Sequence, residues 1–534
     1  MRRSLSFRMV LFTVGLALSG CNSGNSGNPI GSGGSSGTGD VTASGGTTSQ
    51  GETTSSGGKA ASGGNSSSRA TMAGGGTTGG GAADDGSSVT NTTASGGTTG
   101  KGGTTAMGGT TSKGGTTGKA GSAVTGGTTG TSVTTTSGSG TGSGGAAGGS
   151  SGTAQGGSTS PANASPENAG ADCNVSAGDL KKNTKLPDPF AMHDGTRITT
   201  KAAWECRRNE VKKDIEKYEI GPKPEPPTVK ASLSGTTLNV EVTTSSGSMT
   251  LSSTTSGTGS CVVIGMNGNS SLVTGCVQVP FMHDQVVGYN NGGGTQSQSD
   301  PFYKVYPSLW GKIGNYTAWS WGISRLIDGL EQVKDQLKID VTKIAVHGCS
   351  YAGKMALFGG AFDQRVALTV AQESGGGGIT SWRTSQDFAT RTGTSVEKID
   401  NTNYAWFMSS MKKLDPYSLP HDHHELIAMI APRAIIALGN TDYEWLGDES
   451  GYKSITAAIE VWKAMGVPDH IGYDFTGGHS HCQAASSQTT AVKAFVDRFL
   501  KDGTGATNIA VKPTSSKFDL DTTKVIDWTT PTLQ

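Results

Sequence analysis

Apolar positions in the later two thirds of the chain follow two periods, which predict alternating strands and helices. Short β-branched runs at 343–346, 366–372 and 434–438 are typical of buried strands. The segment 316–337 instead carries apolar residues at helical spacing, and 353–362 is a helix rich in small residues. Strands that alternate with helices indicate a mostly parallel sheet covered on both faces. We therefore predict a three-layer α/β sandwich.

Further segments complete the predicted order of elements. The predicted strands are 237–243, 249–253, 260–266, 276–281 and 471–475, and the predicted helices are 204–218, 424–429, 454–465 and 491–500. Gly221-Pro222 ends the first of these helices.

Composition separates this domain from what precedes it. The chain of 534 residues contains 84 glycines, concentrated in the first third, where Gly-Gly-Thr-Thr returns every six residues from Gly96 to Gly114. Such a segment lacks the apolar residues that a core requires, so we predict a disordered linker at 21–172 and a folded domain at 173–534. A solenoid of stacked hexads is the alternative, but it would need regular large apolar positions.

The first twenty residues are predicted to be an export signal. Three arginines precede an apolar run at 9–18, which ends in Leu-Ser-Gly-Cys21. This ending resembles a bacterial lipobox and implies that residues 1–20 are removed and Cys21 is lipidated, at a bacterial outer membrane or cell surface. Ordinary signal cleavage is the alternative. No later charge-free apolar run is long enough to predict a transmembrane helix.

Seven cysteines suit an oxidising compartment, with one for the lipid and six for disulfides. Proximity along the chain suggests the pairs Cys173–Cys206 and Cys261–Cys276, which leaves Cys349 and Cys482 for each other. Six cysteines allow about 15 connectivities, so the sequence leaves the pairing open.

Ser350 stands at the turn between a predicted strand and a predicted helix. Gly348 and Gly353 flank it, as in the nucleophile elbow of the α/β-hydrolase fold. Such a turn lifts the hydroxyl above the sheet and points backbone N–H groups at a developing oxyanion. The spacing is Gly-x-Ser-x-x-Gly rather than Gly-x-Ser-x-Gly, so a serine in an ordinary turn is the alternative.

A nucleophilic serine needs a base and an acid that orients the base. His479 and His481 are the candidate bases, in a glycine-rich loop after the last predicted strand of the sheet. We favour His481, because a disulfide from the adjacent Cys482 would bring it beside the serine; His479 is then a hydrogen-bonded loop residue. Two residues are candidates for the acid. Glu373 ends the strand 366–372, and Asp442 follows the strand 434–438, which is the commoner location for the acid of an α/β hydrolase.

A series of distinctive blocks runs through the predicted domain. They are Leu-Pro-Asp-Pro-Phe at 186–190, Trp-Glu-Cys-Arg-Arg at 204–208, Tyr-Glu at 218–219, Gly-Cys-Ser at 348–350, Gly-Lys at 353–354, Gln-Glu-Ser-Gly at 372–375, Asp-His-His at 422–424, Ala-Pro-Arg at 431–433, Asn-Thr-Asp-Tyr at 440–443 with Trp445, and Gly-His-Ser-His-Cys at 478–482. In this order they resemble the glucuronoyl methylesterases of carbohydrate esterase family 15.

The resemblance implies a role for each matching residue. The nucleophile is Ser350, the base is His481 and the acid is Glu373. The cysteines beside the serine and the histidine are bridged in that family. Its sugar-binding lysine and tryptophan match Lys354 and Trp445.

Three positions depart from the family pattern. The arginine that helps to stabilise the family's oxyanion is replaced by Tyr351, which carries no charge but keeps its backbone N–H. The family's sugar-binding glutamate corresponds to Asn403, and its glutamine falls near Ser395. We therefore expect altered sugar contacts, with Asn403 in the substrate site and Tyr351 at the oxyanion.

The run His421-Asp422-His423-His424 offers donor atoms for a metal, but adjacent residues rarely converge on one ion. We expect these residues to open a helix as cap and core-edge groups. No metal and no cofactor is implied.

Together these observations predict a secreted serine esterase that works through an acyl-enzyme. The resemblance implies that its substrates are esters of (4-O-methyl)glucuronic acid in glucuronoxylan, including its links to lignin. The alternatives are a carbohydrate esterase for acetyl or feruloyl groups and a surface polysaccharide-binding homologue with impaired catalysis. We expect a monomer that contacts the membrane only through its N-terminal lipid. The balanced charge, 42 basic and 42 acidic residues, gives no case for nucleic acid.

Overall fold

The computed structural model describes residues 166–170, 172–290 and 296–534. The predicted signal at 1–20, the lipidation site Cys21 and most of the predicted linker at 21–172 lie outside the described residues. The described part begins before Cys173, where Glu167 pairs with the buried Lys223 at 2.5 Å and the buried Arg325 at 2.6 Å. None of the helices in these ranges has the length and apolar character needed to cross a membrane.

The first elements of the domain are a helix and a small antiparallel sheet. Helix α1 spans Lys201–Ile215 and continues as a π-helical turn at Glu216–Ile220. Strands β1 (Thr228–Ser234), β2 (Thr237–Thr244) and β3 (Gly247–Thr254) pair in that order.

A seven-stranded parallel sheet forms the centre of the domain. Its strands are β4 (Val262–Met266), β5 (Val277–Phe281), β6 (Ile344–Cys349), β7 (Val366–Gln372), β8 (Ala434–Leu438), β9 (Ile471–Asp474) and β10 (Ala510–Val511). Their spatial order is β10-β9-β8-β7-β6-β4-β5, and every neighbouring pair is parallel. The remaining helices are α2 (Pro301–Val305), α3 (Asn315–Leu337), α4 (Tyr351–Phe362), α5 (Trp382–Thr392), α6 (His423–Ala428), α7 (Asp448–Ala464) and α8 (Ser486–Leu500).

The central strands are continuously apolar because both faces of the sheet are buried. Alternate residues of β6 enter two separate clusters: Ile344 and Val346 join the one that contains α3, α4 and α7, whereas Ala345 joins the one that contains α8. Helices therefore cover both faces, and the predicted three-layer α/β sandwich is confirmed.

Among the α-helices and strands of the described residues, four were not predicted: β1, α2, α5 and β10. Strand β1 packs Val229, Ala231 and Leu233 half-buried against the core on one face, but no position of the strand is fully buried. Helix α5 buries polar residues, including Arg383, Thr384 and Ser385, which hides the usual helical pattern. The other predicted elements are present, with ends shifted by a few residues.

The three predicted disulfides are confirmed. Cys173–Cys206, Cys261–Cys276 and Cys349–Cys482 have Cα–Cα distances of 5.4, 4.7 and 5.6 Å. The first attaches the N-terminal segment to α1, the second links the starts of β4 and β5, and the third joins the end of β6 to a distant loop.

Candidate active site

Ser350 is the single residue between the end of β6 and the start of α4. Its backbone has φ 61° and ψ −127°, a left-handed conformation that is strained for a serine. The two flanking glycines permit this tight connection. A Cβ atom at Gly348 would collide with the carbonyl oxygen of Ala352, and one at Gly353 would collide with that of Gln372. The unusual Gly-x-Ser-x-x-Gly spacing is therefore required by close packing of α4 on the ends of β6 and β7.

The start of α4 supplies backbone donors beside this serine. Tyr351 is the first helical residue, so its N–H is one of those without an acceptor within the helix. The geometry suits a main-chain oxyanion site next to the Ser350 hydroxyl.

The side chain of Tyr351 lies in an aromatic cluster. Its ring centroid is 4.4 Å from that of Tyr289 and 5.7 Å from that of Trp406, and its hydroxyl is 3.1 Å from His283 Nε2. Burial raises the pKa of Tyr351 to about 12, and burial lowers the pKa of His283. The phenol and the imidazole therefore form a neutral pair where the resembling family has an arginine.

The buried Glu373 and the half-buried His481 form a hydrogen-bonded pair. His481 Nδ1 lies 2.7 Å from Glu373 Oε2, and the Cys482 N–H donates to Glu373 Oε1 at 3.1 Å. Glu373 directly follows β7 and is 1% exposed. The hydroxyl of Tyr443 accepts the His481 N–H at 3.0 Å. Because Nδ1 faces a carboxylate, it carries the ring proton, and Nε2 is left as the basic nitrogen.

The Cys349–Cys482 disulfide brings this pair to the serine. Cys349 precedes Ser350 and Cys482 follows His481. A ring nitrogen of His481 lies within 4.8 Å of the sulfur atoms of both cysteines. The structure thus places the predicted nucleophile, base and acid at the same edge of the parallel sheet.

The alternative acid Asp442 and the alternative base His479 have other contacts. Asp442 Oδ2 accepts the N–H of Gly478 at 2.7 Å and so stabilises the histidine loop rather than the His481 ring. His479 Nε2 lies 2.9 Å from the Thr476 carbonyl oxygen, and its Nδ1 lies 3.1 Å from Asn440 Nδ2. His479 is the hydrogen-bonded loop residue that the sequence predicted.

Two of the three predicted sugar contacts lie beside these groups. Trp445 is 46% exposed, and its ring centroid is 4.8 Å from that of His481, in an edge-on arrangement. It also lines an open cavity of about 510 Å³. Lys354 lies one helical turn after Ser350 and forms an ion pair with Glu397.

The side chain of Asn403 forms hydrogen bonds with backbone groups. Its amide donates to the Asn290 carbonyl oxygen at 3.0 Å, and its side-chain oxygen accepts the Ala405 N–H at 2.9 Å. These bonds shape the turn before Trp406.

Three residues near the site were not predicted from the sequence. Glu397 lies in an irregular loop, His283 in a short 3₁₀ turn, and Asp448 at the start of α7. Burial raises the pKa of Asp448 to about 7, and the charge of Glu373 adds to the effect. None of them stands in a recognisable motif, because only the tertiary fold brings them to the site.

The histidine-rich run has the capping role predicted for it. Asp422 is the N-cap of α6 and forms a capping box with Glu425. His421 and His423 both bond Glu219, which is fully buried, at 2.8 and 3.0 Å. The run thus joins the π-helical turn to α6.

The parallel sheet, the strained serine between β6 and α4, and the Glu373–His481 pair define an α/β hydrolase. The chain matches the family model described as glucuronyl esterase, fungi, over residues 230–466. The 4-O-methyl-glucuronoyl methylesterase of Hypocrea jecorina is 38% identical over 377 residues, which cover 68% of this chain and 80% of that protein. The chain belongs to the glucuronoyl esterase family and is a carboxylic ester hydrolase.

Solved structures of glucuronoyl esterases are also similar to this chain. The glucuronoyl esterase of Sporotrichum thermophile has a TM-score of 0.63 and 34% identity, over 68% of this chain and all of that one (100%). A serine-to-alanine mutant of that esterase, solved in complex with methyl 4-O-methyl-β-D-glucopyranuronate, has a TM-score of 0.61 and 33% identity, over 68% and 100% of the two chains.

Proposed function

We propose that this chain hydrolyses esters of (4-O-methyl)glucuronic acid on glucuronoxylan, including those that link the polysaccharide to lignin. The observation that carries the proposal is the 2.7 Å contact between His481 and Glu373 at the sheet edge that bears the strained Ser350. The names of the relatives and the methyl uronate ester in the Sporotrichum complex support the acyl group.

The reaction proceeds in two halves. His481 Nε2 takes the proton of Ser350 as the serine oxygen bonds to the ester carbonyl carbon, and Glu373 stabilises the resulting imidazolium. The Tyr351 N–H stabilises the oxyanion. The imidazolium then returns its proton to the departing alcohol, leaving an acyl-enzyme. A water molecule, deprotonated by His481, cleaves the acyl-enzyme to release the uronic acid and the free serine.

Sugar recognition is assigned to the residues beside the serine. Trp445 offers an exposed aromatic face to the pyranose ring, and Lys354 offers a cation to its hydroxyl groups. We assign Asn403 an indirect part, because its amide holds the turn that positions Trp406.

The test is a steady-state assay with methyl glucuronate ester, beside acetylated and feruloylated xylans. We expect Ser350→Ala to lower kcat by about 10⁴-fold or more, because a triad without its nucleophile keeps only binding and oxyanion effects. Asp442→Asn is the matched control and should stay within about threefold of the wild type, since an amide oxygen can still accept the Gly478 N–H. Full turnover by the Ser350→Ala variant would exclude this mechanism. Preference for acetyl or feruloyl esters would reassign the acyl group.

We propose further that the protein is exported and anchored by a lipid on Cys21 in a bacterial outer membrane. Three disulfides in the described domain support an oxidising compartment. Mass spectrometry of the mature N-terminus should find a diacylglyceryl group on Cys21, and Cys21→Ser should release the protein from the membrane fraction. An unmodified mature N-terminus at another residue would refute the anchor.

A further inference from the structure

The ammonium group of Lys354 is largely buried beside the nucleophile. Lys354 lies on α4, four residues after Ser350, and its backbone N–H donates to the Ser350 carbonyl oxygen at 3.1 Å. The Lys354 side chain is 6% exposed, and its Nζ lies 5.5 Å from the centre of the Trp406 ring. A largely buried positive charge therefore belongs to the first turn of the helix that follows the nucleophile.

Glu397 provides the opposite charge. One of its carboxylate oxygens pairs with Lys354 Nζ, and the other accepts the Thr402 hydroxyl at 2.6 Å. Its side chain is 24% exposed, so it is accessible to solvent and does not belong to the core. Lys354 and Glu397 together add no net charge to the pocket.

Ester hydrolysis changes the charge of the ligand. A glucuronate ester is neutral, whereas hydrolysis releases a uronate anion, an alcohol and a proton. The new carboxylate forms at Ser350, one helical turn before Lys354, and charges in a protein interact over a screening length of about 8–10 Å. An uncompensated lysine at this position would hold the product.

We propose that Glu397 is a specificity-determining residue: by cancelling the charge of Lys354, it makes the pocket favour the neutral uronate ester over the uronate anion. This inference rests on the proposed function of the same site. Glu397 is not a catalytic residue, because it acts on the ligand's charge and not on the reacting atoms.

The experiment compares two inhibitors of ester hydrolysis by the full chain, sodium glucuronate and its neutral analogue glucuronamide. The ratio of their inhibition constants isolates the effect of charge, since both ligands present the same ring hydroxyls. In Glu397→Gln the ratio should shift about tenfold toward tighter binding of the anion, as expected for one partly exposed charge removed at contact distance. The KM for the neutral methyl ester should change less than threefold, because glutamine still accepts the Thr402 hydroxyl.

Two further variants complete the design. Lys354→Gln removes the other charge and should shift the ratio in the opposite direction, which provides a second test if Glu397→Gln folds poorly. Asp400→Asn is the control: Asp400 lies in the same loop and pairs with Lys398 at 3.0 Å, with a side chain 64% exposed. It should leave the ratio unchanged.

An unchanged ratio in both Glu397→Gln and Lys354→Gln would overturn the inference, as would an equal shift in Asp400→Asn. If the wild type does not hydrolyse the methyl ester, the proposed function fails instead. The ratio can then be measured by direct binding to the Ser350→Ala variant, so the two failures are distinguishable.

Discussion

Tyr351 shows how a single residue can keep its backbone role while its side chain takes a different one. Tyr351 is the first residue of α4, so its backbone N–H lies next to Ser350 whatever the side chain is. Its phenol lies 3.1 Å from His283 Nε2 within a cluster of aromatic rings. The replacement of a family arginine therefore removes a cation but leaves the main-chain donor in place.

We expect Tyr351→Phe to change kcat/KM by less than about threefold, because the backbone donor remains and the ring still packs against Tyr289. The measurement is steady-state hydrolysis of methyl glucuronate ester. Tyr351→Ala is the comparison and should lower the melting temperature, since it leaves a cavity between the aromatic rings. A loss of about 100-fold or more in Tyr351→Phe would show that the phenol itself is an oxyanion donor.

At the scale of elements, the site depends on a bridge between parts of the chain that are far apart in sequence. The Cys349–Cys482 disulfide closes a separation of 133 residues and joins the end of β6 to the loop that carries His481. By contrast, the Cys261–Cys276 disulfide closes 15 residues and joins the starts of two neighbouring strands.

Replacing both Cys349 and Cys482 by alanine should lower kcat/KM at least about tenfold, because a small displacement of the catalytic base is costly. It should also lower the free energy of unfolding by about 2–5 kcal/mol. Kinetics and denaturant unfolding measure the two effects. The control replaces Cys261 and Cys276 by alanine, which should destabilise the domain without changing kcat/KM of the folded fraction. Equal kinetic losses in the two variants would contradict a positioning role for the first bridge.

At the scale of the whole molecule, stability has a pH window set by buried charges. Burial alone would raise the pKa of Glu219, but the positive charges of His423 and His421 outweigh it and hold that pKa well below 4.5. Burial alone would lower the pKa of His423, but Glu219 outweighs it and keeps that pKa above 6.5. The contribution of Glu219 is therefore lost as pH falls through its lowered pKa, and that of His423 is lost as pH rises through its raised pKa.

Both contributions are complete between about pH 4.5 and 6.5, the ordinary pKa values of the two groups. We expect the melting temperature to be highest in this window. Glu219→Gln should lower the free energy of unfolding there by about 3–5 kcal/mol and flatten the pH dependence, because it leaves buried histidines without their carboxylate. Asp179→Asn, at a fully exposed carboxylate, is the control. A pH profile of Glu219→Gln parallel to that of the wild type would exclude this network as the cause.

Local features of the chain determined much of the fold and part of the site. The β-branched runs predicted the central strands because their periodicity is a local property, and the glycine-flanked Ser350 predicted the turn for the same reason. The adjacent cysteine favoured His481 as the base, and family resemblance chose Glu373 over Asp442 as the acid. The polar helix α5 and the half-exposed strand β1 were missed, since their burial depends on neighbours that lie elsewhere in the chain.

Tertiary structure alone decided which side chains meet. It brought the Glu373 carboxylate to His481, whereas Asp442 accepts a backbone N–H. It gave the Asn403 side chain a backbone partner within a turn. It also brought Glu397 to Lys354, which lies 43 residues away in the sequence. Such contacts form only when separate strand ends and loops reach the same edge of the sheet. No local pattern of hydrophobic and polar residues encodes that convergence, because it depends on the packing of the whole domain.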